Sequence, residues 1–222
     1  MGIKENYQKI KSEIPDNVTI IAACKGMAKE DIDEVINAGA VDLGENYLQE
    51  AEKICESFGE NAKKVQWHMI GHLQKNKINR VLKIFDVIQT IDSKEIAVAL
   101  NERVKKVGKV FPVYIEINIA DEETKSGVKA EYEIVENLAK EISQLKYLRL
   151  EGLMAMEPQL DNPEDSRPYF KKAKDIFDKI KALNLPNVDM KELSMGMSDS
   201  YKVAIEEGSN MVRLGTIIFG ER

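Results

Sequence analysis

Lys25 stands directly after TIIAAC (19–24), a run of apolar and small residues. An ammonium emerging there lies beside low-dielectric walls. Desolvation there would disfavour its charged form, which is what an imine-forming lysine requires. Taken alone, the residue reads as a solvated lysine opening a surface loop, as Lys29 does. Arg213 interrupts the otherwise apolar MVRLG (211–215). A buried guanidinium must meet a carboxylate, a carbonyl or a ligand atom, and Glu116 or Glu151 would be its structural partners. In SMGMSDSYKVAI, Ser198 precedes a short helical run, where an N-cap hydroxyl and the following N–H groups can hold an anion. Gly215 and Thr216 are small enough for backbone N–H groups to approach a ligand closely. The bland alternative is that Ser198 only caps its helix and Gly215 only turns the chain.

Other candidate groups point to less. His68 and His72 are four apart, but a strand ends between them, so they do not share the helical face that a zinc motif needs. Trp67 and Met69 read as packing residues, and the Glu122–Glu123 pair as a solvated loop cluster. Cys24 and Cys55 fit neither a CxxC pair nor a zinc framework and suggest a reducing compartment.

These residues need a scaffold, and the apolar pattern supplies one. Short β-rich runs alternate with segments of helical spacing. The strand candidates are TIIAAC (19–24), VDLG (41–44), VQWHMI (65–70), VIQTI (87–91), PVYIEIN (112–118), LRLEGLMAM (148–156), ELSMGM (192–197) and MVRLG (211–215). Between them run helical stripes: Ile96, Leu100, Val104 and Val107; Ile134, Leu138, Ile142 and Leu145; Phe170, Ala173, Phe177 and Ile180. The six prolines fall at strand starts, in loops or in first helical turns. Eight strands alternating with helices, and no linker to divide them, predict one α/β domain over 1–222. It is a single (β/α)₈ TIM barrel with an extra N-terminal helix. A doubly wound open sheet is the alternative, but AACKGMAKED after the first strand carries neither a dinucleotide fingerprint nor a Walker loop. A barrel gathers its active site at the C-terminal ends of its strands. There stand Lys25, Glu45, Asn46, Gly71, His72, Asp92, Asn118, Ser198, Gly215 and Thr216. The loops after strands 7 and 8 are the recurrent phosphate site of that fold.

Composition narrows the partners. The 222 residues are 43% hydrophobic and 32% charged, with a net charge of −6 and no long basic run. This argues against nucleic acid and for a small-molecule ligand. No apolar run approaches a membrane span. MGIKENYQKIKSEI is not a signal peptide, and Asn6 spoils a myristoylation motif, so a cytoplasmic protein is expected.

ACKG, DLGENYLQEA, WHMIGHLQKNK, the KSG of Lys125 to Gly127, EGLMAM, ELSMGMS and MVRLGTIIFG together resemble, in order and along nearly the whole chain, the pyridoxal phosphate homeostasis family. The resemblance implies a fold like the alanine racemase N-terminal domain and pyridoxal 5′-phosphate as a covalent imine on Lys25. It also implies Ser198, Gly215 and Thr216 around the phosphate, Asn46 near the ring and Arg213 facing the pyridine nitrogen. Ser194 and the Met154 and Met156 pair would help line the pocket. Two positions depart from the family pattern. Cys24 replaces the usual serine and adds an oxidisable thiol. Ser200 replaces the usual acid two positions after Ser198, with Asp199 one position early, which disturbs the expected hydrogen bonds at the helix start.

Arg213 opposite the ring nitrogen would leave the pyridine neutral, hence a poor electron sink, which argues against aminotransferases and decarboxylases. Racemisation tolerates a weak sink but needs a base on each face. Lys25 is one, and alanine racemase draws its second, a tyrosine, from a further domain of a partner subunit. This sequence ends at Arg222, directly after the barrel, and only Tyr47 or Tyr201 would offer a substitute. The expectation is a non-enzymatic, monomeric protein that holds the cofactor and delivers it, with transient contact to the apo-enzymes that use it. The alternative is a low-activity amino-acid racemase.

Overall fold

The computed structural model describes residues 2–120, 126–158 and 160–221. Glu122, Glu123 and Lys125 of the sequence reading lie outside the described residues. In chain order the elements are α1 (Ile3–Glu13), β1 (Thr19–Ala23), α2 (Lys29–Asn37), β2 (Asp42–Glu45), α3 (Leu48–Phe58), β3 (Gln66–Met69), α4 (Ile78–Val81), β4 (Val87–Ile91) and α5 (Lys94–Val104). There follow β5 (Phe111–Asn118), β6 (Val128–Lys129), α6 (Tyr132–Ser143), β7 (Leu148–Met156), α7 (Arg167–Ala182), β8 (Val188–Ser194), α8 (Tyr201–Glu206), β9 (Met211–Leu214) and α9 (Thr216–Phe219).

The strands are parallel and run β4-β3-β2-β1-β9-β8-β7-β5, and a β4–β5 pairing closes the ring. Eight strands therefore form a TIM barrel, as the alternation predicts, while the two-residue β6 is an extra strip paired to β5. First and last strands are neighbours, with Ala22 beside Leu214. Helix α1 precedes the barrel and is tied to its last element by Asn6 Nδ2 donating to the Ile218 carbonyl at 3.0 Å.

Three readings of the sequence are corrected. The strand assigned to ELSMGM runs instead over Val188–Ser194, because Gly196 takes a φ of +95° that ends the extended run. The α5 stripe stops at Val104, since Val107 lies in a following 3₁₀ turn and is exposed. The α6 core face is Val135, Leu138, Ala139 and Ile142. Ile134 sits at its edge, 36% exposed.

Most of the apolar core lies between the barrel and its helices. A second, small cluster joins Ile21, Val87, Tyr114 and Met211. These come from strands on opposite sides of the ring, so they meet only across the barrel interior. Polar side chains share this level of the barrel, since Asp42 pairs in register with Ile21, His68 with Val87 and Ser194 with Met211.

Strands β7 and β8 come very close at Gly152, where an added Cβ would lie 2.2 Å from the Glu192 carbonyl oxygen. Backbone cannot yield as a side-chain tip can, so Gly152→Ala is expected to cost about 2–3 kcal/mol. Thermal unfolding should read this as a fall of roughly 5–10 °C in Tm.

Candidate functional site

The residues singled out in the sequence come together at the C-terminal mouth of the barrel. Lys25 leaves β1 half-buried, with its Nζ 5.4 Å from the centroid of the Tyr47 ring. Asn46 follows the adjacent β2 and is also half-buried. Its backbone packs so tightly on Gly71 that a Cβ there would fall 2.2 Å from the Asn46 carbonyl oxygen. Glycine at 71 is what lets the ends of β2 and β3 meet.

On the other side of β1, at the neighbouring β9, Ser198 is not a helix cap. Helix α8 starts at Tyr201, and Ser198 Oγ instead accepts from the backbone N–H groups of Gly215 and Ile217, each at 3.3 Å. Two amide donors and a hydroxyl thus converge where β9 turns into α9. Thr216 lies between those amides with its side chain exposed. Ser200 carries the helix-start hydrogen bonds. Its hydroxyl accepts from Met197 N at 3.0 Å and donates to Glu157 Oε1 at 2.8 Å. The serine in place of an acid is therefore compensated by an acid delivered from the end of β7.

Arg213 is 5% exposed and well satisfied. Nη1 donates to the carbonyl and hydroxyl oxygens of Ser194 at 2.8 and 2.9 Å. Nη2 donates to the Ala155 carbonyl at 2.9 Å and lies 3.8 Å from Met156 Sδ and 4.0 Å from Glu157 Oε2. Burial works against the guanidinium charge, and Glu157, then Glu116, offset it. Glu151 is not a partner, because it points to Arg149 at 3.8 Å. Both terminal nitrogens are thus committed, which leaves Nε–H as the donor without a protein acceptor among the described residues.

Met154 and Ser194 are fully buried and share a register row with Glu116. Below Arg213 a hydrogen-bonded line crosses the barrel through Ser194, Gln89, His68 and Asp42. Sequence reasoning assigned Gln89 no role and weighed His68 only as a metal ligand. The available signal was the one Arg213 gave: a polar residue inside a parallel strand whose neighbours are apolar. His72, at the end of β3, is 3.5 Å from Asp92.

Cys24 is fully buried, and its thiol donates to the Ala22 carbonyl at 3.2 Å. Burial, with help from Glu45, pushes its pKa well up. A thiol so held is inert, so the oxidisable group expected from the sequence is a packing residue.

Glu116 is 4% exposed, and its Oε2 has no hydrogen-bond partner. Gly127 backs it closely, since a Cβ there would meet Glu116 Cγ at 3.1 Å. Burial, then Asp92, push this carboxyl up to about 7, against the pull of Arg213. Between 4.5, its ordinary value, and about 7 the folded chain therefore binds the extra proton. The stability that Glu116 contributes is full below 4.5 and is lost as pH rises through about 7. Denaturant titrations of the ligand-free protein across that window should show Glu116→Gln gaining on the parent as pH rises. A constant gap between the two would contradict it.

The whole fold has known counterparts. Residues 2–222 match the family model described as "Alanine racemase, N-terminal domain". The chain is 38% identical over 232 aligned positions to the pyridoxal phosphate homeostasis protein of Pasteurella multocida, covering 100% of this chain and 98% of the relative. With the Aquifex aeolicus protein of the same name it shares 39% over 203 positions, covering 91% and 86%. Among solved structures, PipY of Synechococcus elongatus with PLP bound superposes with a TM-score of 0.89 at 27% identity, covering 98% of this chain and all (100%) of that one. A Clostridium difficile alanine racemase shares the fold at a TM-score of 0.83 and 20% identity, covering 100% of this chain and 57% of that chain. The chain belongs to the pyridoxal phosphate homeostasis proteins, which are built on the alanine racemase N-terminal domain.

Proposed function

We infer that this protein binds pyridoxal 5′-phosphate through Lys25 and serves to hold and hand on the cofactor. When bound, the group supplies an aldehyde that condenses with a primary amine and a phosphate that can be anchored. The observation that carries the reading is the disposition of donors around Arg213 and Ser198. A ring acceptor has the free Nε–H of Arg213, which cannot lose its proton at physiological pH. A phosphate has the Ser198 hydroxyl and the amides of Gly215 and Ile217, now turned on Ser198 itself. Thr216 adds a hydroxyl beside them, Asn46 stands on the Lys25 side, and Met154, Met156 and Ser194 line the floor. Relatives named for pyridoxal phosphate homeostasis and the PLP-bound PipY support the assignment.

A carrier role, with transient contact to recipient apo-enzymes, follows from the bases on hand. Lys25 covers one side of the site. Tyr47 stacks on Lys25 itself and so does not stand across from it. Tyr201 is buried, with its hydroxyl 3.5 Å from Glu13 of α1, outside the barrel. Neither tyrosine supplies the second face that racemisation needs. Among the described residues no helix is long and apolar enough to cross a membrane, in keeping with a cytoplasmic site of action and a small-molecule ligand. The chain is proposed to act as a monomeric single domain over 1–222, with no nucleic-acid or membrane partner.

Loading the protein with pyridoxal phosphate should produce the visible absorption of an imine, and Lys25→Ala should abolish it while phosphate-dependent affinity persists in part. An unchanged band in Lys25→Ala would refute the lysine assignment. Incubating the loaded protein with L- or D-amino acids in deuterated water should give release of the cofactor with little α-hydrogen exchange. Exchange at an ordinary enzymatic rate would instead establish the racemase reading.

A further inference from the structure

The hydrogen-bond line beneath Arg213 has a direction, and that direction is set at its far end. Asp42 is a carboxylate and only accepts, so His68 presents Nε2–H to its Oδ1 at 3.0 Å. With the proton on Nε2, His68 Nδ1 is an acceptor, and the Gln89 amide nitrogen donates to it at 3.0 Å. The same nitrogen reaches a second acceptor, Met211 Sδ, at 3.3 Å. Gln89 Oε1 is thereby turned to Ser194 and takes its hydroxyl proton at 2.8 Å. The Ser194 oxygen then offers Arg213 Nη1 only lone pairs, at 2.9 Å. His68, Gln89, Ser194 and Arg213 are all 5% exposed or less, so solvent provides no substitute partner.

Building on the reading that Arg213 faces the ring nitrogen of the cofactor, we propose that Asp42, His68 and Gln89 are positioning residues for that contact. They hold the Ser194 hydroxyl as an acceptor and so fix which edge of the guanidinium points into the site. The alternative arrangement is costly. A reversed Gln89 amide sets its oxygen against His68 Nδ1, so a neutral imidazole must carry its proton there and turn a bare Nε2 to the Asp42 carboxylate, and only a buried imidazolium would serve both acceptors. In the neutral network the His68–Asp42 bond is then lost, while the Ser194 hydroxyl proton loses its acceptor and Met211 Sδ its donor. None of the three residues touches the ligand, and their effect passes through Arg213.

The magnetic resonance signal of an isotope-labelled ring nitrogen in bound pyridoxal phosphate reads this contact directly. Gln89→Leu and His68→Leu are expected to shift and broaden that signal and to weaken binding roughly tenfold, the factor carried by one buried hydrogen bond. His68→Asn returns an acceptor near the Nδ1 position and is expected to recover most of both effects, which a purely volumetric role would not allow. If the leucine variants fail to fold, Asp42→Asn decides the matter. It keeps the volume, removes the obligate acceptor, and is expected to broaden the same signal. An unchanged ring-nitrogen signal with unchanged affinity, in folded Gln89→Leu or in Asp42→Asn, overturns the proposal. Failure of the unmutated protein to bind pyridoxal phosphate would overturn the cofactor reading instead.

Discussion

A guanidinium enclosed in a closed barrel has to be met on nearly every edge by the protein. Leaving such a charge uncompensated costs several kcal/mol, and much of the upper barrel is arranged around that demand. Strand β7 ends by offering the Ala155 carbonyl and then turns Glu157 toward the same nitrogen. Strand β8 offers Ser194 twice. Glu157 in turn holds Ser200, which forms the start of α8 and so places the loop that carries Ser198. One buried cation thus links the barrel interior to the rim where the Gly215 and Ile217 amides meet Ser198.

The barrel interior makes this possible by excluding solvent from His68, Gln89 and Ser194, each 1% exposed or less. Ile21, Val87, Tyr114 and Met211 pack beside these groups, so the polar layer sits in a medium where each hydrogen bond is strong and each unmet group is costly. The raised pKa of Glu116 is part of the same economy, for a carboxyl in that layer gives up its charge more readily than it finds partners.

The fold was legible from periodicity because each parallel strand is covered on its outer face by a helix with one apolar stripe. The rim was legible for a related reason. Lys25, Asn46 and Gly215 interrupt apolar runs at points where packing has no use for them, whereas Gly71 is there because the ends of β2 and β3 approach too closely for a Cβ. What stayed hidden depended on pairing across the barrel. Gln89 sits in VIQTI, a run that reads as buried strand whichever way it faces, and its partner Ser194 is 105 positions away. Glu157 directly follows EGLMAM, and nothing beside it in the sequence distinguishes a buried acid from the first polar residue of a loop. The misplaced β8 has a local cause: ELSMGM alternates well enough to look extended, and only the left-handed backbone at Gly196 breaks it. The reading of Ser198 as a cap of α8 fails with it, since its hydroxyl bonds to the amides at the start of α9.

Closure of the ring by its first and last strands sets the order of events during synthesis. The lysine-bearing strand leaves the ribosome early, and Arg213 with the neighbouring amides follows 188 positions later (213 minus 25). At common elongation rates that is a delay on the order of 10–40 s. Throughout it a nascent chain carries the Lys25 amine without Arg213 or the amides that converge on Ser198. Pairing across so long a stretch is also slow in itself. The complete cavity therefore comes into being only as β9 zips onto β1 and α1 docks against α9. A ligand that spans both flanks would bind that last-formed state alone, and by mass action would help to keep the two ends of the chain together.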